Sequence, residues 1–479
     1  MKIVLVMPSL DNGYWKKLGK KVGPKSEPLS LLYIATYLNQ HGHQAEVLDC
    51  EAEGISYEEL EGKFREGKYD VVGVAMMTAM YSQAVGVCEI AKKINPNTKV
   101  IVGGSHPSLR PKETVQEQAS IDIAAVGEAE VTFKELLDAF AEKMTLSEVK
   151  GIVYKVEEGT VIQTEERDKI QDLDFFPIPD RNLIKMELYR PSVSYYKRLP
   201  AYTMVTTRGC PYRCTFCATA KSGYRMHSTQ RVIEEIRMLV ERFGAKEILF
   251  RDDTFTLNRE RTIELCDAII ASGLHEKVIW DCITRANLID LELVNKMKEA
   301  GCCGMHFGVE GGTQKLIDGI QKDSTLEIIK EAFKVCKKVG IETRGYFMIG
   351  LPGSTKEDDL ATIAFAKEIN PDWAQFTLCT PYPGTQMFDE VLAKGEIKSQ
   401  DWDNYQTWSG FSEHNLVWTP NSRDSEELKA LQRRALKEFY FRPKVLFKKI
   451  TKIDNLPILK KYVLGALALA SGGSGRAPE

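Results

Sequence analysis

Short apolar runs alternate with amphipathic stretches along the first 140 residues of the chain. This pattern predicts strands at Lys2–Met7, Gln44–Asp49, Val71–Ala75, Lys99–Val102 and Ile121–Ala125. It also predicts intervening helices that begin near Leu29, Tyr57, Ser82, Pro111 and Glu130. Strand–helix alternation at this rhythm is typical of an α/β fold with a doubly wound parallel sheet. Because such sheets bind ligands beyond the carboxyl ends of their strands, we expect a binding site along that edge.

A second series of strand–helix units follows in residues 201–385. The predicted strands are Tyr202–Val205, Glu247–Arg251, Val278–Ile283, Met305–Val309, Glu342–Ile349 and Trp373–Leu378. Six parallel strands with helices outside them indicate a partial (β/α)6 barrel, whose functional groups should lie at the carboxyl ends of the strands.

The remaining segments join or follow these two domains. Residues 141–200 are predicted to be a linker, with a β-hairpin over 150–164 that turns near Gly159 and a proline-rich connector over 173–180. Residues 386–470 are predicted to form a helical C-terminal region, and residues 471–479 are predicted to form a flexible tail.

Composition narrows the class of protein. At 479 residues the chain is too long for one ordinary core, and 43% apolar with 27% charged residues is typical of a soluble globular protein. A net charge of −3 gives no overall attraction to nucleic acid. No apolar run is long enough to span a membrane, and we expect no signal peptide, because the first residues already read as a strand. The eleven scattered cysteines suggest no disulfide framework, so we expect a cytoplasmic protein.

The candidate metal ligands are Cys210, Cys214 and Cys217, spaced C-x3-C-x2-C in the loop after the first barrel strand. Thiolates bind iron–sulfur clusters and zinc. A zinc site would need a fourth ligand, for which His227 is the nearest candidate. Alternatively, the three thiols could be buried without any ligand, since free cysteine packs as a small hydrophobe.

The cysteine spacing, with the aromatic Phe216 before the last cysteine, resembles the cluster loop of radical S-adenosylmethionine (radical SAM) enzymes. The resemblance implies a 4Fe–4S cluster whose open iron binds SAM, and one-electron cleavage of SAM to a 5′-deoxyadenosyl radical. It also implies an electron donor such as flavodoxin or ferredoxin.

The resemblance further implies cofactor-binding residues at the ends of the later barrel strands. Asp252 and Asp253 would line the methionine end of SAM, Arg285 would pair with its carboxylate, Glu310 would contact the ribose or amino group, and Gly350 with Pro352 would lie against the adenine. The alternative for the two aspartates is capping of the next helix, and for the arginine a surface ion pair.

The loops of the first domain are neither G-x-G-x-x-G nor a Walker loop. They contain Met76, Met77 and Thr78 after strand three, Gly103, Gly104 and His106 after strand four, and Gly127 and Glu128 after strand five. This set resembles the Rossmann-like cobalamin-binding domain that precedes many radical SAM domains. The motif D-x-H-x-x-G is absent, so no histidine ligand to cobalt is expected. Met76, Met77, Thr78 and Tyr81 would cover the lower face of cobalamin, although the methionines could also be ordinary core residues.

The domain order is therefore similar to that of the cobalamin-dependent radical SAM family, which includes methyltransferases and the anaerobic Mg-protoporphyrin monomethyl ester cyclase. The resemblance implies methylation of an unactivated sp3 carbon, with oxidative ring closure as a second hypothesis. A third hypothesis is a non-catalytic cobalamin-binding regulator, against which the intact cysteine spacing argues.

The C-terminal region bears on the substrate. From Lys437 to Lys461 there are eight basic residues against two acidic ones, interleaved with aromatic and aliphatic side chains. Such a segment is typical of peripheral membrane contact and suggests a lipid-like substrate, but it is also compatible with a helix packed on the barrel. An aromatic group upstream, formed by Trp402, Tyr405, Trp408 and Phe411, could cover the open end of the barrel or cap its core.

Overall fold

The computed structural model describes residues 1–9, 25–157, 160–192, 194–407, 415–443 and 445. These described residues form two compact units. Unit 1 contains residues 1–191 together with the short segments 382–384 and 401–403. Unit 2 contains residues 192–381 and 385–400 and continues from residue 404.

Unit 1 is built on one twisted sheet. Its strands are β1 (Lys2–Met7), β2 (Gln44–Asp49), β3 (Val71–Ala75), β4 (Lys99–Gly103), β5 (Ile123–Ala125), β6 (Ile152–Glu157) and β7 (Thr160–Gln163). The strand order is β2-β1-β3-β4-β5-β6-β7. The first five strands are parallel, while β6 and β7 add in antiparallel fashion. The predicted doubly wound parallel sheet is confirmed, and the hairpin placed in the linker extends this sheet.

Helices cover both faces of this sheet, as the alternating pattern predicted. They are α1 (Leu29–Gln40), α2 (Cys50–Glu53), α3 (Tyr57–Gly67), α4 (Tyr81–Ile94), α5 (Ser105–Leu109), α6 (Pro111–Glu117) and α7 (Glu130–Phe140). Helix α3 begins with a capping box, in which Ser56 and Glu59 each bond the other's backbone N–H. The core combines apolar strand residues such as Ile3, Leu5 and Val71 with Leu32 of α1 and Leu136 of α7.

Unit 2 is built on a second parallel sheet. Its strands are β8 (Ala201–Met204), β11 (Glu247–Phe250), β12 (Ile279–Thr284), β13 (Cys302–Glu310), β14 (Glu342–Ile349) and β15 (Trp373–Leu378), and a small ribbon is formed by β9 (Thr207–Arg208) and β10 (Arg225–Met226). The six strands lie in sequential order with β8 and β15 at the edges, and each neighbouring pair is parallel. This sheet is the predicted partial barrel, open between β8 and β15.

Most helices of unit 2 begin at a polar side-chain cap. The helices are α8 (Thr229–Phe243), α9 (Arg259–Ala271), α10 (Leu274–Lys277), α11 (Leu291–Glu299), α12 (Gln314–Gly319), α13 (Leu326–Val339), α14 (Lys356–Ile369), α15 (Gln386–Ala393) and α16 (Ser425–Tyr440). Ser228 caps α8, and Gly244, at a φ of 66°, ends it in the left-handed conformation. Phe307 of β13 contacts Phe333 of α13, so alternate residues of β13 lie on the opposite, concave face.

Helix α16 covers the exposed edge strand β15. The Tyr440 hydroxyl donates to Ala374 O at 2.8 Å, and Gln432 Nε2 donates to Phe376 O at 2.9 Å. These bonds satisfy backbone groups that an edge strand would otherwise leave unpaired. The start of the predicted C-terminal helical region is therefore part of the barrel's packing, whereas residues 446–470 and the tail 471–479 lie outside the described residues.

Candidate active site and cofactor-binding loops

The cysteine loop leaves the carboxyl end of β8 and is closed at its base by β9 and β10. Cys210 N donates to Ser222 Oγ at 3.0 Å, and Ser222 N donates back to Cys210 O at 3.1 Å. Gly209 has a φ of 87°, and a Cβ at this position would lie 2.8 Å from the carbonyl oxygen of Gly223. A glycine is thus required where the loop turns.

Each thiol of the loop lies beside one potential hydrogen-bond donor. The sulfur-to-donor distances are 3.7 Å from Cys210 to Thr254 Oγ1, 3.3 Å from Cys214 to Arg285 Nη1 and 3.3 Å from Cys217 to Thr219 Oγ1. Donors of this kind stabilise thiolates, so the loop fits a group that binds three separate sulfurs. Burial raises the pKa of Cys217 and so disfavours its thiolate. Bound iron would stabilise that thiolate.

The three thiols do not converge on one point. In the described part of the chain, no set of three or more His, Cys, Asp or Glu side chains is placed to hold a single metal ion. A cubane cluster does not need such convergence, because each thiolate binds a different iron. The cysteines therefore fit a 4Fe–4S cluster, which would supply one-electron chemistry to a bound SAM.

Asp252 and Asp253 adjoin the loop but differ in environment. Asp252 is 1% exposed, and its Oδ1 accepts hydrogen bonds from the backbone and side chains that lead into the loop. Asp253 is exposed and accepts a bond from Thr219 Oγ1 at 3.3 Å. Neither aspartate caps the following helix, because Asn258 caps α9. Asp253 is thus the member of the pair that is accessible to a ligand.

Arg285 lies against the cluster loop. Its guanidinium carbon is 3.7 Å from the ring centroid of Tyr212. Its Nη1 donates to Cys214 Sγ, and its Nη2 donates to the carbonyl oxygen of Lys322. The side chain is buried, so it does not form the surface ion pair considered as an alternative. Its contacts tie the end of β12 to both the loop and the turn after α12.

Glu310, at the carboxyl end of β13, forms a buried ion pair that the sequence did not reveal. Its Oε1 is 2.8 Å from Lys322 Nζ, and the two side chains are 9% and 8% exposed. Glu310 has a φ of 67° at a register shift in the β13–β14 ladder. A Cβ on Gly308 would lie 2.3 Å from Glu310 Oε1, so glycine leaves the space that the pair occupies. Backbone strain of this kind is concentrated at functional sites.

Gly350 and Pro352 follow β14 at the same edge. Gly350 has a φ of 78°, and its backbone N–H donates to Asp359 Oδ1 at 2.9 Å. A Cβ at this glycine would lie 3.2 Å from Leu428 of α16, so the residue also permits close packing of that helix. Pro352 is half-buried beside it. An approach of this backbone to adenine stays a prediction.

The concave face of the barrel contains a buried polar network. Arg251 Nη1 is 2.7 Å from Asp281 Oδ1, His306 Nε2 is 3.2 Å from Asp281 Oδ2, and His306 Nδ1 is 3.3 Å from the Tyr346 hydroxyl. Burial lowers the pKa of His306, which favours its neutral form. Near the base of the barrel, burial raises the pKa of Glu247 to about 7. These groups give the barrel interior a polar lining held in a fixed arrangement.

In unit 1 the candidate cobalamin loops meet at one edge, because the strands that they follow are parallel. Gly104 has a φ of 121°, and a Cβ there would lie 2.7 Å from Met76 O, so the two loops touch through their backbones. Met76 is fully buried and behaves as a core residue, whereas Met77 is 43% exposed. Of the methionines, Met77 is therefore the one positioned to meet a ligand.

The other predicted loop residues lie along this edge. Gly103 ends β4, and Gly127 follows β5 with a φ of 79° and donates its N–H to Ser108 Oγ at 3.0 Å. Glu128 is half-buried next to it. The part of the β1 loop at residues 10–24 lies outside the described residues. In sheets of this strand order, ligands bind at the switch point between β1 and β3.

His106 is enclosed rather than presented to solvent. Its Nδ1 is 3.1 Å from the Thr78 hydroxyl, and its ring centroid is 4.7 Å from that of Tyr81 and 5.0 Å from that of Trp402. Burial lowers the pKa of His106 to about 4, so the ring is neutral. Trp402 thus packs within unit 1, while Tyr405 is buried in unit 2, and Trp408 and Phe411 lie outside the described residues.

We expect cobalamin bound to this edge to show no protein nitrogen on cobalt. Electron paramagnetic resonance of the Co(II) state, in protein with isotopically labelled histidine, measures this directly. Replacing Met77 by histidine should introduce nitrogen splitting, because Met77 is exposed at the edge, while His106→Ala should not change the coordination. A histidine signal in the unchanged protein would contradict the prediction.

Sequence reasoning missed Lys322, Thr219 and Thr254. Thr254 follows Asp253 at a strand end, and Thr219 lies two residues after Cys217, so the search for polar residues at strand ends and in the loop could have found both. No local signal marks Lys322, whose partner Glu310 precedes it by 12 positions across helix α12.

Comparisons with known proteins agree with this geometry. A family model described as B12 binding domain matches residues 15–137, and one described as Radical SAM superfamily matches residues 204–366. A protein named as an uncharacterised methyltransferase from Pyrococcus horikoshii is 35% identical over 470 residues, covering 98% of both chains. The chain therefore belongs to the cobalamin-dependent radical SAM enzymes.

Two further similarities cover most of the chain. An anaerobic magnesium-protoporphyrin IX monomethyl ester cyclase from Rubrivivax gelatinosus is 27% identical over 475 residues, covering 98% of this chain and 82% of the cyclase. The solved structure of the radical SAM methyltransferase TsrM from Kitasatospora setae has a TM-score of 0.71 at 18% identity, covering 90% and 89% of the two chains. The TsrM likeness establishes the fold.

Family membership identifies the cofactors as cobalamin, a 4Fe–4S cluster and SAM. The predicted radical SAM enzyme with an N-terminal cobalamin-binding domain is confirmed, and the regulator hypothesis is not supported. The contacts of individual residues with SAM and cobalamin remain predictions.

Proposed function

We propose that this protein methylates an unactivated sp3 carbon of a small molecule. The observation that carries the proposal is the three-thiol loop of Cys210, Cys214 and Cys217. Asp253 and Arg285 lie beside this loop, and the chain is 35% identical to the uncharacterised methyltransferase from Pyrococcus horikoshii. When bound, the cluster and SAM supply a carbon-centred radical, and cobalamin supplies the methyl group.

The residues of unit 2 would position the reactants and exclude water, and they would not themselves bond to the substrate. Arg285 donates a hydrogen bond to Cys214 of the loop, and its positive charge would pair with the carboxylate of bound SAM. Asp253 is exposed at the rim and would accept hydrogen bonds from the amino group of SAM. The buried Glu310–Lys322 pair provides opposite charges at the end of β13, where the polar part of SAM would lie. The concave polar network keeps the barrel interior ordered around the reacting carbon.

A labelling experiment tests the proposal. The reconstituted enzyme is incubated with a one-electron reductant, with SAM deuterated in its methyl group, and with an extract from cells in which the gene is deleted. We expect both 5′-deoxyadenosine and S-adenosylhomocysteine, and a product that carries the deuterated methyl group. Formation of 5′-deoxyadenosine alone, with a product that has lost hydrogen and gained no label, would contradict methyl transfer.

That contrary outcome is expected of the second candidate, an oxidative cyclase. The likeness that favours it is the 27% identity to the Rubrivivax cyclase over nearly the whole chain. The higher identity and fuller mutual coverage of the Pyrococcus methyltransferase make methylation the better-supported function.

We further propose that the substrate is lipid-like and is reached from a membrane surface. The basic and aromatic composition of residues 437–470 supports this, and Phe441, just after α16, is 41% exposed. In the described part of the chain, no helix is both long and apolar enough to cross a membrane. Basic and aromatic segments instead bind at the headgroup level, at roughly 1 kcal/mol for each basic side chain near an anionic surface.

Co-sedimentation with anionic liposomes tests this membrane contact. Full-length protein is compared with a chain that ends after Pro443. An earlier end would remove Phe439, which is buried, and Tyr440, whose hydroxyl donates to Ala374 O of the edge strand. We expect only the full-length protein to sediment, and less of it as salt rises. Equal binding of the two chains, or no binding at low salt, would indicate a soluble substrate.

A further inference from the structure

The hydrogen-bond donor beside Cys214 differs from the donors beside the other two thiols of the cluster loop. Thr254 Oγ1 lies 3.7 Å from the first thiol but donates to the carbonyl oxygen of Asp253 at 2.8 Å. Thr219 Oγ1 lies 3.3 Å from the third thiol and also 3.3 Å from Asp253 Oδ1, to which it donates. Because a hydroxyl group has a single hydrogen, an oxygen competes with the sulfur for the donor at both of these thiols.

Arg285 can donate to Cys214 without giving up another hydrogen bond. Its Nη1 donates to Cys214 Sγ at 3.3 Å, its Nη2 donates to Lys322 O, and its Nε donates to Asn287 Oδ1 at 3.3 Å. A guanidinium has five N–H donors, so none of these bonds competes with another. When the thiol ionises to bind iron, both partners of the bond to sulfur carry a charge, which strengthens it.

The positive charge of Arg285 is buried without a carboxylate beside it. In the described part of the chain, its hydrogen bonds go to a sulfur, a backbone carbonyl and a side-chain amide, and no carboxylate lies within ion-pair distance. Asp323, in the adjacent turn, instead pairs with Arg213 at 3.0 Å. Arg285 and Cys214 are both buried, so water screens little of the charge. A buried cation is costly without a counter-charge, and the thiolate of Cys214 would supply one.

The cluster loop and a neighbouring turn hold the guanidinium in place. Its carbon is 3.7 Å from the ring centroid of Tyr212, which belongs to the loop. The turn that accepts the bond from Nη2 is itself tied to the loop, because Thr215 N donates to Ile320 O at 3.1 Å. The distance between Arg285 and Cys214 is therefore fixed from two sides, as is typical of residues that support a metal ligand.

The reduction potential of an iron–sulfur cluster depends on its net charge, on hydrogen bonds to its sulfurs and on its exposure to solvent. One-electron reduction adds negative charge to the cluster, and the electron comes from an external donor that is oxidised in the same step. A fixed positive charge at one ligand sulfur stabilises the reduced state more than the oxidised state.

We propose that Arg285 is a positioning residue that raises the reduction potential of the cluster through its charge and its hydrogen bond to Cys214. It acts through this ligand whether or not SAM is bound. The inference rests on the proposed function, in which Cys210, Cys214 and Cys217 bind the cluster whose electron cleaves SAM.

A redox titration of the anaerobically reconstituted protein without SAM, followed by electron paramagnetic resonance, tests the inference. We expect Arg285→Met to lower the equilibrium constant for reduction at least about tenfold, which for one electron is a shift of about 59 mV to a more negative potential. Arg285→Lys keeps the charge but loses the planar fork, so it should recover part of the shift. Iron and sulfide analysis of each variant measures how much cluster is present.

The matched control is Arg213→Met, which removes an exposed arginine from the same loop and should leave the potential nearly unchanged, because water screens its charge. An unchanged potential in Arg285→Met, or an equal shift in Arg213→Met, would overturn the inference. A shift that appears only after SAM is added would also overturn it, because the guanidinium would then act on SAM alone. If Arg285→Met does not fold, Arg285→Gln is measured by the same criteria. A wild-type protein that takes up no cluster would instead refute the cluster assignment.

Discussion

Cys214→Ala is expected to abolish SAM cleavage, with no 5′-deoxyadenosine above background. The thiol is one of three that bind separate irons, so its loss leaves a cubane with two protein ligands. The visible absorbance at about 400 nm that accompanies such clusters should disappear as well. Cys210→Ala and Cys217→Ala should behave in the same way, because each removes one of the three ligands.

The control for this experiment is a buried cysteine outside the loop. Cys302 and Cys303 begin β13 and contact neither the loop nor its donors in the described residues, so their alanine variants should keep the cluster. Iron content and SAM cleavage should then separate the two sets of variants completely. A Cys214→Ala protein that binds a full cluster and still cleaves SAM would refute the central assignment.

Lys322→Met is expected to lower the free energy of unfolding by about 3–5 kcal/mol, because it leaves the buried carboxylate of Glu310 without its partner. It should also abolish measurable SAM binding, since it removes positive charge at the end of β13. Urea unfolding of the cluster-free protein and calorimetric titration of the reconstituted protein with SAM measure the two effects separately.

The double variant Glu310→Gln/Lys322→Met should recover most of the stability, because no unpaired charge remains, but it should not recover SAM binding. The matched control is Arg213→Met, which breaks the exposed pair between Arg213 and Asp323 and should change stability little. A Lys322→Met protein with unchanged stability and unchanged SAM affinity would show that the pair has neither role.

Buried strands and the cluster loop could be predicted from the sequence because both are local patterns. The predicted bounds of β1, β2, β3, β14 and β15 coincide with those in the structure. Each is either a continuous apolar run or a mixed run with an apolar half, and turn residues or helix starts flank it. The three cysteines lie within eight positions of each other, so their spacing alone places them on one loop. The positions of the glycines after β4 and β14 could also be predicted, because each directly follows or ends a predicted strand.

The roles of single polar residues could not be predicted, because they depend on contacts between distant parts of the chain. Asp252 binds Thr206, 46 positions earlier, and Arg285 donates to the carbonyl of Lys322, 37 positions later. The sequence grouped Asp252 with Asp253, although successive residues at a strand end point in opposite directions and only Asp253 reaches solvent. Trp402 and Tyr405 were likewise grouped but pack in different units.

The two sheets, the position of the cluster loop and the family resemblance follow from local sequence, because hydrophobic periodicity and motif spacing are properties of neighbouring residues. Which charges are paired and which are exposed depends on the fold. Lys322 is an ordinary basic residue in the sequence, and burial beside Glu310 gives it one specific partner. The physical reason is that the interaction of two charges depends on their separation and on the exclusion of water, and folding alone sets both.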